Sequence, residues 1–256
     1  MPSAFQLLAA SGAALIAGGI NSVAGGGTMV SFPVLLALGV HPLLANATNT
    51  VGIGPGALGS LWGFRAELRK LPRSSAWLLV PGLLGSAVGA VLLRHTSAKA
   101  FERIVPGLVL FATAMFIVAP EIRRRLKQRR PSATASGGAG AGVFAALFLI
   151  SIYGGYFGAG MGILLLSALS ISGMTDMLEM TALTSLLSLA TNTVAGVIFA
   201  VSGLVHWPYA GTMAIGAVLG GWGAAGIARK VGGVWIRRLV VTIGLGLGAT
   251  MLYRVL

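Results

Sequence analysis

The chain contains no cysteine and carries very little charge. The missing cysteines exclude disulfides, thiolate zinc sites and cysteine nucleophiles. Only 9% of the 256 residues are charged, against about 25% in an average soluble domain. With 56% hydrophobic residues and a mean hydropathy of +0.90, the chain has too few polar side chains to cover a soluble surface. The composition therefore predicts an integral membrane protein.

Acidic residues are also scarce: there are five, and the net charge is +13. In a soluble protein such an excess of positive charge would suggest nucleic-acid binding. Here the basic residues cluster in short joints between apolar runs, which the positive-inside rule and anionic lipid headgroups explain better. We therefore expect the lipid bilayer as a partner, a multi-pass location in the cell inner (plasma) membrane, and no nucleic acid.

The apolar runs divide the chain into two halves. A span needs about 20 apolar residues, and the sequence has runs of this kind at 4–40, 43–64, 76–93, 101–119, 143–172, 177–203, 209–228 and 234–253. The segment "PEIRRRLKQRRPSATASGGAGAG" interrupts this series and is typical of a solvated linker. The sequence thus predicts a first membrane repeat at 1–119, a cytoplasmic basic linker at 120–142 and a second membrane repeat at 143–256.

The halves share specific residues, which indicates an internal duplication. "ATNTV" occurs at 47–51 and again at 190–194, and Gly25 and Gly27 align with Gly158 and Gly160. If the repeats are inverted, the two sides of the membrane carry fourteen and four Lys or Arg residues; if they are parallel, eleven and seven. The positive-inside rule favours the inverted arrangement, while parallel repeats stay open as the alternative.

The first element of each half is too long for one span. Residues 4–40 in a single helix would reach about 55 Å, far beyond a hydrocarbon core of about 30 Å. Glycine clusters, "GGINSVAGGG" and "YGGYFGAGMG", interrupt both elements. We therefore predict an all-α integral membrane protein with about eight hydrophobic helical elements in two inverted four-element repeats. The first element of each repeat is expected to be interrupted by a Gly-rich turn.

Inverted repeats with interrupted helices are typical of secondary transporters. Free N–H groups and the dipole at a half-helix N-terminus favour an anion there. The candidate binding residues at the two turns are Gly25, Gly26, Gly27, Thr28, Gly158 and Gly160. Close helix packing through small residues is the alternative. We assign that packing role to the glycines of the uninterrupted spans, namely Gly85, Gly89, Gly216, Gly220, Gly244 and Gly248.

The repeated pentapeptide places polar groups inside two spans, where they need partners. These candidates are Thr48, Asn49, Thr50, Thr191, Asn192 and Thr193. Three roles stay open for them: joining helices, holding the glycine turns, or donating hydrogen bonds to substrate. All acidic and histidine residues lie at or near span ends, and the sequence has no P-loop, Ser-His-Asp or H-E-x-x-H pattern. We expect no enzymatic activity, no cofactor and no metal.

Two blocks of the sequence resemble the TauE/SafE family of sulfite-exporter-type permeases. They are "GGINSVAGGGTMVSFPVLLALGVHPLLANATNTVG" and "YGGYFGAGMGILLLSALSISG" followed by "ATNTVAG". The resemblance implies transport of sulfite, thiosulfate or an organosulfonate. By this resemblance, the Gly-rich turns of the family correspond to the candidate glycines of this sequence. The polar runs of the family correspond to the segments that contain Asn49 and Asn192. Asn21 is matched by Gly154, and Thr28 by Met161, so an asymmetric substrate site that includes Asn21 and Met161 is expected.

The expected activity is alternating-access transport of a small anionic solute, with Arg65 concentrating anions at the cytoplasmic mouth. An anion channel or exchange pore uses the same residues without the conformational cycle and is the first alternative. A non-transporting membrane scaffold is the second. The small-residue faces also leave a homodimer open.

Overall fold

The computed structural model describes residues 2–23, 25–128, 140–174, 176–227 and 233–255. Within these ranges the regular structure is helical, and no strand occurs. The helices are α1 (Ala4–Val23), α2 (Thr28–Ala37), α3 (Pro42–Ile53), α4 (Gly56–Gly63), α5 (Arg65–Lys70), a 3₁₀ helix (Arg73–Leu78), α6 (Leu79–His95), α7 (Ala98–Gln128), α8 (Ala141–Tyr156), α9 (Met161–Ile171), α10 (Met177–Val201), α11 (Trp207–Ile227) and α12 (Gly233–Val255).

Several of these helices are suited to a bilayer by length and composition. In the described residues, four stretches are long and apolar enough to cross it: Ala4–Ser22, Arg73–His95, Ala98–Val118 and Met177–Val201. Shorter apolar helices, such as Thr28–Ala37 and Met161–Ile171, accompany them. The all-α membrane class predicted from composition is confirmed. The predicted count of about eight elements is not confirmed: the described residues form thirteen helical segments, and several spans consist of two pieces.

The first element of each half is broken where its glycine cluster lies. Helix α1 ends at Val23 and α2 begins at Thr28, while α8 ends at Tyr156 and α9 begins at Met161. Gly25, Gly158 and Gly160 have φ values of 68°, 77° and 76°. Only glycine adopts this left-handed conformation without a steric cost, and the conformation ends a right-handed helix. We call residues 25–27 the first break and residues 157–160 the second break.

The span predicted at 43–64 is not one helix. Helix α3 ends at Ile53, and α4 begins at Gly56 after Gly54 and Pro55. Proline has no N–H to donate and its ring clashes with the carbonyl one turn earlier, so it interrupts a helix at this point. The corresponding span of the second half, α10, runs unbroken from Met177 to Val201.

The segment predicted as linker from residue 120 starts as helix. Helix α7 has 31 residues and continues to Gln128. Arg, Lys, Glu and Leu are good helix formers in water, and Glu121 pairs with Arg124 one turn later at 3.2 Å. Residues 129–139 of the linker lie outside the described residues.

The two halves pack against each other through reciprocal helix pairs. Helix α1 lies along α11, and α8 lies along α6. In both pairs, glycine lets one backbone contact the other. The contacts join Ser11 to Gly216, Leu15 to Gly220 and Gly18 to Ala217 in the first pair, and Phe148 to Gly85, Ile152 to Gly89 and Gly155 to Ser86 in the second. In each pair, the first helix of one half packs on the third span of the other half.

The packing role predicted for the glycines of uninterrupted spans is confirmed. Four of them form the contacts just described. Gly244 and Gly248 of α12 lie against Thr113 and Leu110 of α7. A Cβ at either position would collide with these side chains, so the small residues allow α7 and α12 to approach closely.

Candidate functional site

The two breaks meet in the interior of the protein, beside a small cavity. A Cβ built on Gly25 would lie only 2.5 Å from the Cα of Gly162, so the two backbones touch. The cavity has a volume of ≈ 50 Å³, enough for a few waters or a small ion. Its lining residues come from the breaks, the α3–α4 kink and α10: Asn21, Gly25, Thr28, Thr50, Ile53, Gly54, Ala57, Ser60, Phe157, Gly158, Met161, Gly162, Leu166, Thr181, Thr184, Ser185, Ser188 and Asn192.

Each break is held by a different side chain. In the first break, the Gly27 amide donates to Asn21 Oδ1 at 2.7 Å. In the second break, the Tyr153 hydroxyl donates to the carbonyl of Ala159 at 2.6 Å. The asymmetry expected from the Asn21–Gly154 mismatch is therefore visible in how the two turns are fixed. The Oδ1 atom of Asn21 is thus occupied by a hydrogen bond within the protein, whereas its Nδ2 has no acceptor among the described residues.

A single aromatic ring packs against both breaks. The Phe116 side chain of α7 lies where a Cβ on Gly26 would be, and it is 3.6 Å from a Cβ built on Gly160. Phe116 is 3% exposed. Gly26 and Gly160 therefore accommodate this ring and do not line the cavity. Gly27 also lies outside the lining, because it packs against the backbone of Ala17. Of the candidate glycines, only Gly25 and Gly158 line the cavity.

Thr28 faces the cavity, and Asn49 lies behind it. Asn49 Nδ2 donates to Thr28 Oγ1 at 3.3 Å. A hydroxyl that accepts one hydrogen bond still has its own hydrogen to donate, so Thr28 retains a donor for the cavity. Asn49 is 1% exposed and does not line the cavity. Met161, which stands at the position equivalent to Thr28, lines the cavity with a thioether and supplies no comparable donor.

The second pentapeptide uses its asparagine differently. Asn192 lines the cavity and makes no hydrogen bond to any described residue. Both of its amide donors are therefore free for a ligand. Thr191 is fully buried, and its carbonyl accepts from Ser86 Oγ at 2.6 Å. Thr193 is exposed and lies outside the cavity.

The threonines of the first pentapeptide serve helix contacts. Thr48 Oγ1 accepts from the backbone amide of His206 at 2.9 Å, which ties α3 to the start of α11. Thr50 Oγ1 donates to the Asn46 carbonyl at 3.0 Å and lines the cavity. The structure thus brings together Asn21, Gly25, Thr28, Thr50, Gly158, Met161 and Asn192.

A row of hydroxyls on α10 completes the cavity and does not appear among the residues predicted from the sequence. The row consists of Thr181, Thr184, Ser185 and Ser188, which continue the helix face of Asn192. Their spacing of 3, 1, 3 and 4 residues is that of one helix face. Polar residues on one face of an apolar helix mark a pathway or a helix contact. A search for this spacing would have found them, whereas comparison of the repeats did not.

Thr184 has an unusual environment within this row. It is 7% exposed, and its Oγ1 is buried without a hydrogen-bond partner among the described residues. An unpaired buried hydroxyl costs about 1–3 kcal/mol. The cost is removed when a ligand accepts from this hydroxyl, so Thr184 is a candidate ligand donor.

Replacing Thr184 with valine is expected to have opposite effects on the empty and the occupied protein. Valine has the same shape and removes the unpaired hydroxyl, so the melting temperature of the ligand-free protein should be unchanged or raised. Stabilisation by a bound anion should decrease. Differential scanning fluorimetry in detergent, with and without the anion, measures both effects. A lower ligand-free melting temperature with an unchanged ligand shift would contradict this role.

Arg65 does not line the cavity. Its Nη1 donates to the Trp62 carbonyl at 2.8 Å, and its guanidinium lies 5.3 Å from the centre of the Trp62 ring. The side chain is exposed at the start of α5, a helix that packs against α10. A role in attracting anions at this end stays a prediction.

The cavity offers neutral hydrogen-bond donors. None of the lining residues carries a charge, and the polar ones are hydroxyls and amides. In the described residues, no cluster of His, Asp or Glu side chains could hold a metal ion. Hydroxyls and amides of this kind can surround the oxygens of a small anion.

Comparison with known proteins supplies the assignment of the chain. A model of the family described as sulfite exporter TauE/SafE matches residues 10–251. The chain belongs to the TauE/SafE family. This match confirms the resemblance of the two glycine-rich blocks. Both breaks and the kink at Gly54 and Pro55 lie within the matched residues.

Three relatives of the TauE/SafE chain align over nearly its full length. A probable membrane transporter protein of Haemophilus influenzae is 28% identical over 93% of this chain and 91% of its own length. The probable membrane transporter protein YfcA of Escherichia coli K12 is 27% identical over 94% and 87%. The probable membrane transporter protein ORF9 of a Sinorhizobium species is 31% identical over 94% and 90%. No solved structure gives a significant match.

Proposed function

We propose that this membrane transporter moves a small sulfur-containing oxyanion across the inner membrane by alternating access. Sulfite, thiosulfate and organosulfonates are the candidate substrates. The family description, sulfite exporter, supports the substrate class, and the names of the relatives support transport. The observation that carries the proposal is the convergence of two broken helices on a cavity lined by hydroxyl and amide groups.

One free backbone donor lies beside the cavity, at the start of α9 just after the second break. The amide of Met161 donates to the Gly158 carbonyl at 3.2 Å, and the amide of Ile163 donates to the Gly160 carbonyl at 3.1 Å. The Gly162 amide between them has no acceptor among the described residues, and Gly162 lines the cavity. The positive end of the α9 dipole adds to the attraction for an anion.

The size and charge of the lining favour a small anion with one negative charge. A cavity of ≈ 50 Å³ has room for an acid group of about four or five heavy atoms. Hydrogen bonds to a charged group contribute about 1.5–3 kcal/mol each. Several neutral donors can thereby offset the desolvation of one charge, which amounts to several kcal/mol per ion. A second charge would raise this cost steeply.

The packing supports inverted repeats. Thr48 Oγ1 near the start of α3 accepts from the His206 amide just beyond the end of α10, while α5 beyond the end of α4 packs on α10, so the corresponding spans α3–α4 and α10 run in opposite directions. His41 at the start of α3 contacts Glu102 at the start of α7 at 2.9 Å, so these joints share one end of the protein. Helix α5 packs on α10 at the opposite end. With the halves inverted, fourteen of the eighteen Lys and Arg residues lie at that second end, which we assign to the cytoplasm.

The test is a ligand screen followed by flux measurement in liposomes. Methanesulfonate and singly protonated sulfite should raise the melting temperature in detergent, since a ligand that binds only the folded protein stabilises it. Thiosulfate carries two charges and should raise it less. Sulfate, phosphate and carboxylates serve as comparisons. Saturable flux with a steep temperature dependence is the expected result. Ohmic single-channel currents would identify a pore instead, and absence of both binding and flux would refute the proposal.

The two equivalent asparagines should respond differently to alanine. Asn192→Ala removes free amide donors from the cavity, so anion affinity should fall about tenfold, the effect of one hydrogen bond of about 1.4 kcal/mol. Its ligand-free melting temperature should stay close to that of the wild type. Asn49→Ala removes the partner of Thr28 and should lower both stability and affinity.

Thr193→Val is the matched control for the asparagine variants. Thr193 adjoins Asn192 but lies outside the cavity. The Thr193→Val variant should therefore bind the anion with the same affinity as the wild type. Equal affinities for Asn192→Ala and the wild type would remove Asn192 from the site.

A further inference from the structure

An apolar groove adjoins the central cavity on the side between α3–α4 and α10. Its volume is ≈ 320 Å³, roughly twice that of an engineered apolar cavity that binds benzene. We call it the lateral groove. Its apolar part is formed by Val51, Leu58, Leu189, Gly196, Val197 and Ala200. Leu58 is 54% exposed and Val197 is 59% exposed, so the groove opens on the outer surface that faces the hydrocarbon of a bilayer.

The lateral groove shares lining residues with the central cavity. Thr50, Gly54 and Asn192 line both spaces. The polar groups of Thr50 and Asn192 therefore stand at the boundary between a hydrophilic cavity and an apolar groove. Gly54 lies against Asn192 at this boundary, since a Cβ on Gly54 would be 3.3 Å from Asn192 Cβ, and Pro55 lines the groove.

The other end of the groove lies at Trp207, the first residue of α11. Tryptophan near a span end is typical of the membrane–water interface. The groove therefore includes a residue type that favours the headgroup level.

We propose that the lateral groove binds the apolar part of an amphiphilic anion whose acid group lies in the central cavity. The ligand class is a singly charged acid that carries an alkyl or aryl group of about six to ten carbon atoms. The cavity alone has room for the acid group, and the shared boundary is where a substituent passes into apolar surroundings. Such a ligand reaches its site sideways from the bilayer. This inference rests on the proposed function.

A series of linear alkanesulfonates tests the groove. Methane-, butane-, hexane- and octanesulfonate share one acid group and differ only in tail length. Affinity for the purified full-length protein, measured below the micelle concentration of each probe, should rise about fourfold per buried methylene. Alkyltrimethylammonium ions of equal length carry the opposite charge and should not compete, which separates the site from partition into detergent.

Two variants fill the groove without altering the cavity. Gly196→Leu places a side chain beside Val51, since a Cβ on Gly196 lies 3.4 Å from Val51 Cγ2, which is ordinary contact. Ala200→Leu fills the same groove one turn later, in case the first variant folds poorly. Both variants should bind methanesulfonate with the affinity of the wild type. In both, the affinity should no longer increase with the length of the alkyl tail. Val201→Leu changes an 83% exposed neighbour outside the groove and should keep the gain.

The outcomes separate this inference from the proposed function. Equal affinity across the series, with methanesulfonate bound, overturns the tail site and leaves anion transport intact. The inference is also overturned if sulfonate affinity still increases with tail length in both Gly196→Leu and Ala200→Leu. A gain that appears only after delipidation assigns the groove to a lipid acyl chain and overturns it as well. No binding of any sulfonate or of sulfite contradicts the proposed function itself.

Discussion

Replacing Gly25 with alanine is expected to destabilise the protein by about 2–5 kcal/mol. Two costs contribute. At φ 68° a non-glycine residue pays about 1–2 kcal/mol, and overpacking against a rigid neighbour costs about 1–3 kcal/mol. The neighbour here is backbone, because the new Cβ would lie 2.5 Å from the Cα of Gly162. The two breaks would have to separate, and the loss is a large fraction of a total stability of about 5–15 kcal/mol.

Gly12→Ala is the matched control for this prediction. Gly12 lies in α1, the helix that ends at the first break, and a Cβ there meets nothing within 4 Å. Alanine is a better helix former by about 1 kcal/mol, so this variant should melt at the same or a higher temperature. Melting in detergent and the size-exclusion profile measure both variants. Equal melting temperatures for the two would show that the breaks do not touch as described.

Replacing Phe116 with alanine is the second large expected effect. The ring is 3% exposed and fills the space between Gly26 and Gly160. Its removal leaves a void at the point where both breaks meet, and truncation of a buried Phe costs about 3–5 kcal/mol. The melting temperature should fall markedly. Phe5→Ala, at a position 76% exposed, should change stability by no more than about 0.5 kcal/mol.

A double-mutant cycle makes the Phe116 prediction specific. Gly26→Ala collides with the Phe116 ring and should be strongly destabilising alone. When combined with Phe116→Ala, the new methyl group occupies part of the void, so the double variant should be more stable than the sum of the single effects predicts. Contacting residues give coupling energies of about 0.5–3 kcal/mol. Strict additivity would show that the ring does not pack on Gly26.

Features that depend on local chemistry were predicted from the sequence. The all-α membrane class follows from the scarcity of charge, and both breaks follow from glycine clusters in elements too long for one span. Seven of the fourteen candidate binding residues line the central cavity. The kink at Gly54 and Pro55 was missed because the surrounding segment 43–64 is as apolar as a plain span. Its proline was the local signal that identifies the kink.

Glycines of one cluster show what local reasoning does not distinguish. Gly25, Gly26 and Gly27 are consecutive, yet they contact Gly162, Phe116 and Ala17 respectively. Successive residues of a turn point in different directions, so only one of them faces the cavity. The row Thr181–Ser188 was missed for a related reason. Its hydroxyls are ordinary residues of an apolar helix until the breaks pack on that face.

By itself the sequence determined the membrane class, the positions of both breaks and the family. Those properties depend on hydropathy, on backbone freedom at glycine and on residue identity. Only the tertiary structure decided what the two copies of Ala-Thr-Asn-Thr-Val do. Asn49 is buried against Thr28, while Asn192 faces the cavity and the lateral groove. Identical pentapeptides have identical local chemistry, and the role of each side chain is set by the helices that pack opposite it.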